Sequence, residues 1–318
     1  MPKIGKKAIP AIALISVVML MIGAGYGWWR LQARPMGKSG TIVEITADSF
    51  NDLRLQLSNK KLIGSGLYFA AIWGDKEQLP AHGYYSLGGT DAKALKKLLM
   101  AGPNIVKLTV PEGFSAGQIA QRLAGEGLSG EEFLALALPL EGKLFPETYF
   151  LRKDVTAQQI ADKLLNEFKD KTGSLNISDK ELMLASIIER EAKKDEERPK
   201  IAALYLNRLA QGMKLEADPT VQYGRDLALL KSDDLGKVKL WQPLASGDTR
   251  SIASKYNTYV TVGLPPSPIC NPGIKSLKAV KNPEAGFTAL FFFHDAGGVV
   301  HFTNSFAEHQ AAITEFGL

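Results

Sequence analysis

Residues 8–29 read AIPAIALISVVMLMIGAGYGWW, 22 positions without one charged side chain. At about 1.5 Å of rise per residue, a helix of this length crosses a hydrocarbon core of about 30 Å. Lys3, Lys6 and Lys7 precede the run. Trp28 and Trp29 close it where an aromatic belt would stand, followed by Arg30 and Arg34. A cleaved signal peptide is the alternative, but the run is long for one and no small-x-small site leads into polar sequence. The expectation is a short cytoplasmic tail over 1–7 and a single transmembrane helix over 8–29, which lies in the lipid bilayer. Everything that folds is then on the far side of the membrane, since the tail is too short to hold a domain.

The rest of the chain has an ordinary globular balance, 45% hydrophobic and 22% charged over 318 residues, enough for roughly two domains. The net charge of +5 is scattered rather than gathered in a basic stripe, which argues against a nucleic-acid partner. Cys270 is the single cysteine, so no intrachain disulfide and no multi-cysteine metal site can form. Four histidines (His82, His294, His301 and His309) show no HExxH-type spacing. No metal and no cofactor are expected.

Two stretches beyond the apolar run repeat one pattern. Leu53, Leu57 and Leu62 recur 66 positions later as Ile119, Leu123 and Leu128. Each copy (43–69 and 106–133) reads as a strand, a turn, an amphipathic helix and a second helical start. Between them, 88–102 reads as a helix with Thr90 or Asp91 as N-cap, Leu95, Leu98 and Leu99 as its buried stripe, and Gly102 as its stop. Small strand–helix modules of this kind lie on glycan chains. Any two amphipathic helices share such leucine spacing, so the repeat alone proves no common role.

The chemistry-bearing residues are in the second half. Ser178 and Glu181 form a capping box before ELMLASIIEREA, whose apolar residues spread around the whole helical circumference. Glu189 projects within about 20° of Leu182, beside Ala185, Ser186 and Ala192. A carboxyl among apolar neighbours holds its proton to higher pH, as a general acid must. The small neighbours would leave room for a substrate. The plainer alternative is a buried ion pair with Arg190 or Arg208. Nor does the wheel separate Glu189 from Glu191, which points between Leu184 and Ile187.

Further on, 196–213 reads as a helix with Pro199 in its first turn, and 214–224 as a loop in which Pro219 holds Asp218 extended. Tyr256, Asn257 and Tyr259 form an aromatic–amide–aromatic array suited to sugars. Residues 288–304 read as a hairpin, with Asn304 and Ser305 capping a last helix, and His301 reads as a packed strand residue.

Five ordered stretches, LEGKLFPETY (140–149), LASIIERE (184–191), YLNRLAQGMKLEADPTVQYG (205–224), SKYNTYVTVGLPPSPICNPG (254–273) and FFFHDAGGVVHFTNSFAEH (291–309), resemble the successive motifs of the endolytic murein transglycosylases, the MltG or YceG-like family. Residues 79–102 and 110–123 resemble that family's LysM-like N-terminal part. The resemblance implies an α+β chain with a LysM-like glycan-binding region over 39–130 and a catalytic domain over 131–318. It implies a single-pass protein of the bacterial inner membrane, with its catalytic domain in the periplasm. Its partners are then peptidoglycan glycan strands, with peptidoglycan synthases as candidates.

The matching motif makes Glu189 the catalytic residue. Glu189 is expected to protonate the glycosidic oxygen between N-acetylmuramic acid and N-acetylglucosamine. It then takes the proton of the muramic acid C6 hydroxyl, leaving a 1,6-anhydro end. Asp218, Tyr223, Tyr256, Asn257 and Asn304 are candidates for positioning the sugar. Glu147 is a candidate second carboxylate, and a place within about 5–9 Å of Glu189 would favour hydrolysis instead. Two departures stand out: 225–253 is longer and less regular than the family pattern, and 39–78 matches it weakly. A non-catalytic glycan-binding anchor and a scaffold for wall synthesis are the rival classes.

Overall fold

Ala8–Gln32 (α1) form one continuous helix of 25 residues in the computed structural model, which describes residues 8–32 and 37–317. The tail expected over 1–7 lies outside the described residues. The membrane span expected over 8–29 is not supported: among the described residues no helix is long and apolar enough to cross a membrane. The mixed α+β class stands, and the chain divides into two compact units, Met1–Lys107 and Leu108–Leu318.

In the first unit, Thr41–Ile45 (β1) pairs antiparallel with Gly83–Leu87 (β2), Thr41 facing Leu87 and Ile45 facing Gly83. Phe50–Asn59 (α2), Gly66–Trp73 (α3) and Ala92–Met100 (α4) cover this ribbon. Each helix starts on a side-chain cap: Ser49 Oγ accepts from Asp52 N at 3.1 Å, Ser65 Oγ from Tyr68 N at 3.2 Å, and Asp91 Oδ1 from Ala94 N at 2.8 Å. Strand alternation turns Val43, Ile45, Tyr85 and Leu87 inward against Leu53, Leu57, Phe69, Trp73, Leu95 and Leu99. The division between the units falls inside Ile105–Thr109 (β3), whose first residue faces Tyr84.

In the second unit, Ala116–Gly125 (α5) and Gly130–Ala137 (α6) follow β3, so the repeated strand–helix–helix order of the sequence is realised. Ile119, Leu123 and Leu128 are buried like Leu53, Leu57 and Leu62. Then come Thr148–Arg152 (β4), Ala157–Thr172 (α7), Asp179–Glu191 (α8), Arg198–Ala210 (α9), Asp218–Ser232 (α10), the short Asp248–Ser251 (α11) and Ile274–Lys281 (α12). The hairpin of Phe291–His294 (β5) and Val300–Thr303 (β6) precedes the last helix, Phe306–Phe316 (α13).

Helix α8 is the axis of this unit. The expected capping box opens it: Ser178 N donates to Glu181 Oε2 at 2.8 Å, while Ser178 Oγ accepts from Glu181 N. Because its apolar residues run right round, α9 and α12 pack against it, with Leu182, Leu184, Ile187 and Ile188 meeting Ile201, Leu204, Tyr205 and Leu277. The strip of small residues does not wait for a substrate. The chain's own loop fills it: Ile269 N donates to Ser186 Oγ at 3.0 Å, and buried Cys270 lies at Ser186 O. The loop expected over 214–224 ends at Ala217, because Pro219 sits in the first turn of α10, where its missing N–H costs nothing.

Candidate active site

Glu189 stands in the last turn of α8 with only 6% of its side chain exposed. Its environment is not the apolar one expected. Oε1 accepts from Arg198 Nη2 at 3.2 Å; Oε2 accepts from Gly273 N at 3.0 Å and from Ser276 Oγ at 2.7 Å. These donors come from α9, the first residues of α12 and the turn before it, each close to Glu189 only through the packing of three helices. Arg198 is itself fixed, its Nε donating to Ser276 Oγ at 3.0 Å and Nη1 to Asp195 Oδ1 at 2.5 Å. The ion-pair alternative is therefore realised, but with Arg198. Arg190 instead lies over the Trp241 ring, 3.8 Å from its centroid, and Arg208 binds the Leu290 and Leu215 carbonyl oxygens and Glu216.

A second carboxyl, one the sequence did not single out, shares this site. Glu112, in the loop after β3, brings Oε1 and Cδ against Gly273, where a Cβ would sit 1.8 Å and 2.0 Å from them. Glycine is required here to let the carboxyl in. Although Glu112 is exposed as a residue, its carboxyl is held above the usual range, first by partial burial and then by the charge of Glu189, against the pull of Arg198 and Lys275.

A buried network holds the two loops in place. Gly113 N donates to Asn271 O at 2.9 Å, and Asn271 N to Phe114 O at 2.8 Å. The Asn271 Nδ2 group donates to Phe114 O and Glu141 Oε1, both at 2.9 Å, while its Oδ1 accepts from Leu144 N at 2.8 Å. Glu141 also accepts from Ala116 N, and Tyr223 OH lies 3.1 Å from its Oε2. Full burial pushes the Glu141 carboxyl up to about 8.

Glu191 is two residues on, about 200° around the helix, and so faces away from Glu189. It lines a cleft of about 450 Å³ with Tyr205, Arg208, Asp218, Tyr259 and Phe292. Tyr205 OH donates to Glu191 Oε1 at 3.2 Å and Tyr259 OH to Asp218 Oδ1 at 2.7 Å. Burial, and then the charge of Asp218, push Glu191 up to about 7.

The model of the YceG-like family matches residues 43–315. This chain belongs to the YceG-like family. A relative from Bacillus subtilis strain 168 named endolytic murein transglycosylase is 32% identical, covering 72% of this chain and 71% of its own. One from Streptococcus pneumoniae strain D39 with the same name is 29% identical over 81% of this chain, which spans only 55% of that relative's length. The crystal structure of a YceG-like protein from Listeria monocytogenes, 30% identical, superposes with a TM-score of 0.54 over 86% of this chain and 98% of the other.

In this YceG-like chain none of the remaining candidates is among the described hydrogen-bond partners of the Glu189 carboxyl. Asp218 lies in the Glu191 cleft. Tyr223 is buried, its ring 4.9 Å from that of Tyr256, whose hydroxyl lies 2.7 Å from Ser267 Oγ. Asn257 is fully buried and closes its own loop, its Nδ2 donating to Thr249 O and Ile252 O and its Oδ1 accepting from Tyr259 N. Asn304 accepts from Thr288 Oγ1 at the end of the hairpin. Glu147 is exposed, and its Oε1 accepts from Thr148 N. Missed from sequence were Glu112, Arg198, Gly273 and Ser276. The VPEG and NPG stretches stood among the family motifs, but nothing in their spacing joins positions 112, 189 and 273.

Proposed function

We propose that this chain cleaves the glycan strands of peptidoglycan internally, as a lytic transglycosylase, with Glu189 as its proton-transfer residue. The observation that carries the reading is the Glu189 carboxylate, all but buried and fixed by Arg198, Ser276 and Gly273 N in a member of the YceG-like family. The relatives' name, endolytic murein transglycosylase, supplies the substrate class.

In the reaction, the bond between the N-acetylmuramic acid anomeric carbon and the N-acetylglucosamine oxygen breaks. The muramic acid C6 hydroxyl loses its proton to Glu189 and closes on that carbon, giving a 1,6-anhydro end without consuming water. In its simplest form Glu189 performs both transfers, acid first and base second. Internal cuts of this kind limit strand length. Attachment to the cytoplasmic membrane, with the folded units outside it, belongs to the same reading. Its support is the exposure of Leu14, Ile15, Met19, Leu20, Met21 and Ile22 on α1, apolar surface that water disfavours.

The test is a digest of purified peptidoglycan read by mass spectrometry. Anhydro-muramic ends are expected, absent with Glu189→Gln; reducing ends would make water the nucleophile and overturn the transglycosylase reading. A second assignment within the same reaction has an observation of its own, since Glu191 lines a cleft of about 450 Å³ and holds its proton to about pH 7. Loss of cleavage in Glu191→Gln with Glu189→Gln still active would move the chemistry to that cleft.

A further inference from the structure

The polar groups around Glu189 leave one requirement of the reaction unmet by Glu189 alone. Both of its oxygens accept hydrogen bonds, Oε1 from the Arg198 cation and Oε2 from Gly273 N and Ser276 Oγ. Oε2 already has two donors and would lose one on taking a proton, while Oε1 has the single Arg198 donor and a lone pair left for the C6 hydroxyl proton. A carboxylate so held is placed to act as the base, and the departing sugar oxygen then takes its proton from another group.

Glu112 stands where such a source is needed. The residue whose N–H binds Glu189 is also the residue whose Cα face receives the Glu112 carboxyl, so Gly273 touches both acids. The loop bearing Glu112 is not free to drift, because Gly113 N and Asn271 N cross-link it to the stretch leading into Gly273. Gly113 itself lies beside the Glu189 and Arg190 side chains, 3.6 Å from both at the place its own Cβ would take. Glu112 is exposed, open to a polymer arriving from solvent, while Glu189 is not.

We propose that Glu112 is a second catalytic residue, the acid that protonates the departing glycosidic oxygen while Glu189 acts as the base. This rests on the transglycosylase reading and divides its two proton transfers between two carboxyls. The bond from the muramic acid anomeric carbon to the N-acetylglucosamine oxygen breaks as the Glu112 proton moves to that oxygen. The C6 oxygen bonds to the same carbon as its proton moves to Glu189. Glu112 ends ionised and Glu189 protonated, and after the products leave, Glu112 takes up a proton from solvent and Glu189 gives one up, which restores both. No water and no other reagent is consumed.

The charged groups facing Glu112 are Glu189 from α8, Asp195 from the turn before α9, Arg198 from α9 and Lys275 from α12. Burial and Glu189 raise its pKa, so it keeps its proton to higher pH than an ordinary carboxyl. The rate then falls on the alkaline side as Glu112 ionises.

The experiment measures turnover against pH on purified peptidoglycan, with the full chain and its Glu112→Gln, Glu189→Gln and Gly273→Ala variants. Glu112→Gln is expected to lower kcat by about 100-fold or more and to abolish the alkaline limb, with glycan binding and the melting curve unchanged. Gly273→Ala should follow it in direction, because the added Cβ displaces the Glu112 carboxyl while the N–H to Glu189 remains. Adding Gly273→Ala to a Glu112→Gln chain should cost little more. Cleavage lost in Glu189→Gln yet within about threefold of normal in Glu112→Gln, with the alkaline limb intact, overturns the proposal and leaves the transglycosylase reading standing. No cleavage by the unaltered chain overturns both.

Discussion

Arg198 and Glu189 show how a single contact turns a buried acid into a positioned one. Their side chains are 10% and 6% exposed, so neither charge has water to fall back on. Removing one partner strands the other, and Arg198→Ala is expected to cost about 3–5 kcal/mol of stability. A denaturant titration checks this; a loss under about 1 kcal/mol would mean that Ser276 and Gly273 N suffice. Ser276→Ala removes one neutral donor from Glu189 and one acceptor from Arg198, a smaller loss of about 1 kcal/mol. At this scale the sequence singled out Glu189 as the candidate acid. Its wheel could not see the partners, which lie 9 and 87 positions away.

At the scale of elements, α8 is shaped by what packs on it rather than by its own pattern. Small residues at 185 and 186 admit the 267–271 loop, and Gly142 admits Pro268 from the same loop. Gly142 has φ +88, and a Cβ there would sit 2.6 Å from two atoms of the rigid Pro268 ring. Gly142→Ala therefore combines left-handed strain with a clash that cannot rotate away, and should destabilise by about 2 kcal/mol or more. A midpoint of chemical unfolding equal to that of the unaltered chain would show that the loop gives way. Gly273→Ala is the contrast, since the atom it meets is the free end of the Glu112 side chain. Both glycines look alike in sequence; the neighbour decides the cost.

For the whole molecule, buried acids set the response to pH. Glu141 is pushed up to about 8 from an ordinary 4.5, and Glu191 to about 7. Between pH 4.5 and these values the folded chain holds protons that the unfolded chain has lost, so its stability falls as pH rises through that window. The melting temperature is expected to drop from pH 5 to pH 8.5, and Glu141→Gln, which keeps a neutral group in the network, should flatten the drop. A melting temperature that rises over this range would show that both groups are ionised in the fold.

What the sequence determined by itself was local. Caps at Ser178 and Asp91, the strand–helix–helix order at two places and the hairpin near the end follow from period and turn chemistry within a dozen residues. The family followed from ordered motifs, each read in place. The position of Glu189 on α8 was legible for the same reason. Tertiary structure alone decided that Glu189 meets Arg198 rather than Arg190 or Arg208, that Glu191 faces a different cleft, and that Asn257 closes its own loop. It also decided that Glu112 stands beside the buried acid. Around Glu189 alone such contacts join positions 9 and 87 apart, and a chain's periodicity carries no record of which segments its packing will bring together.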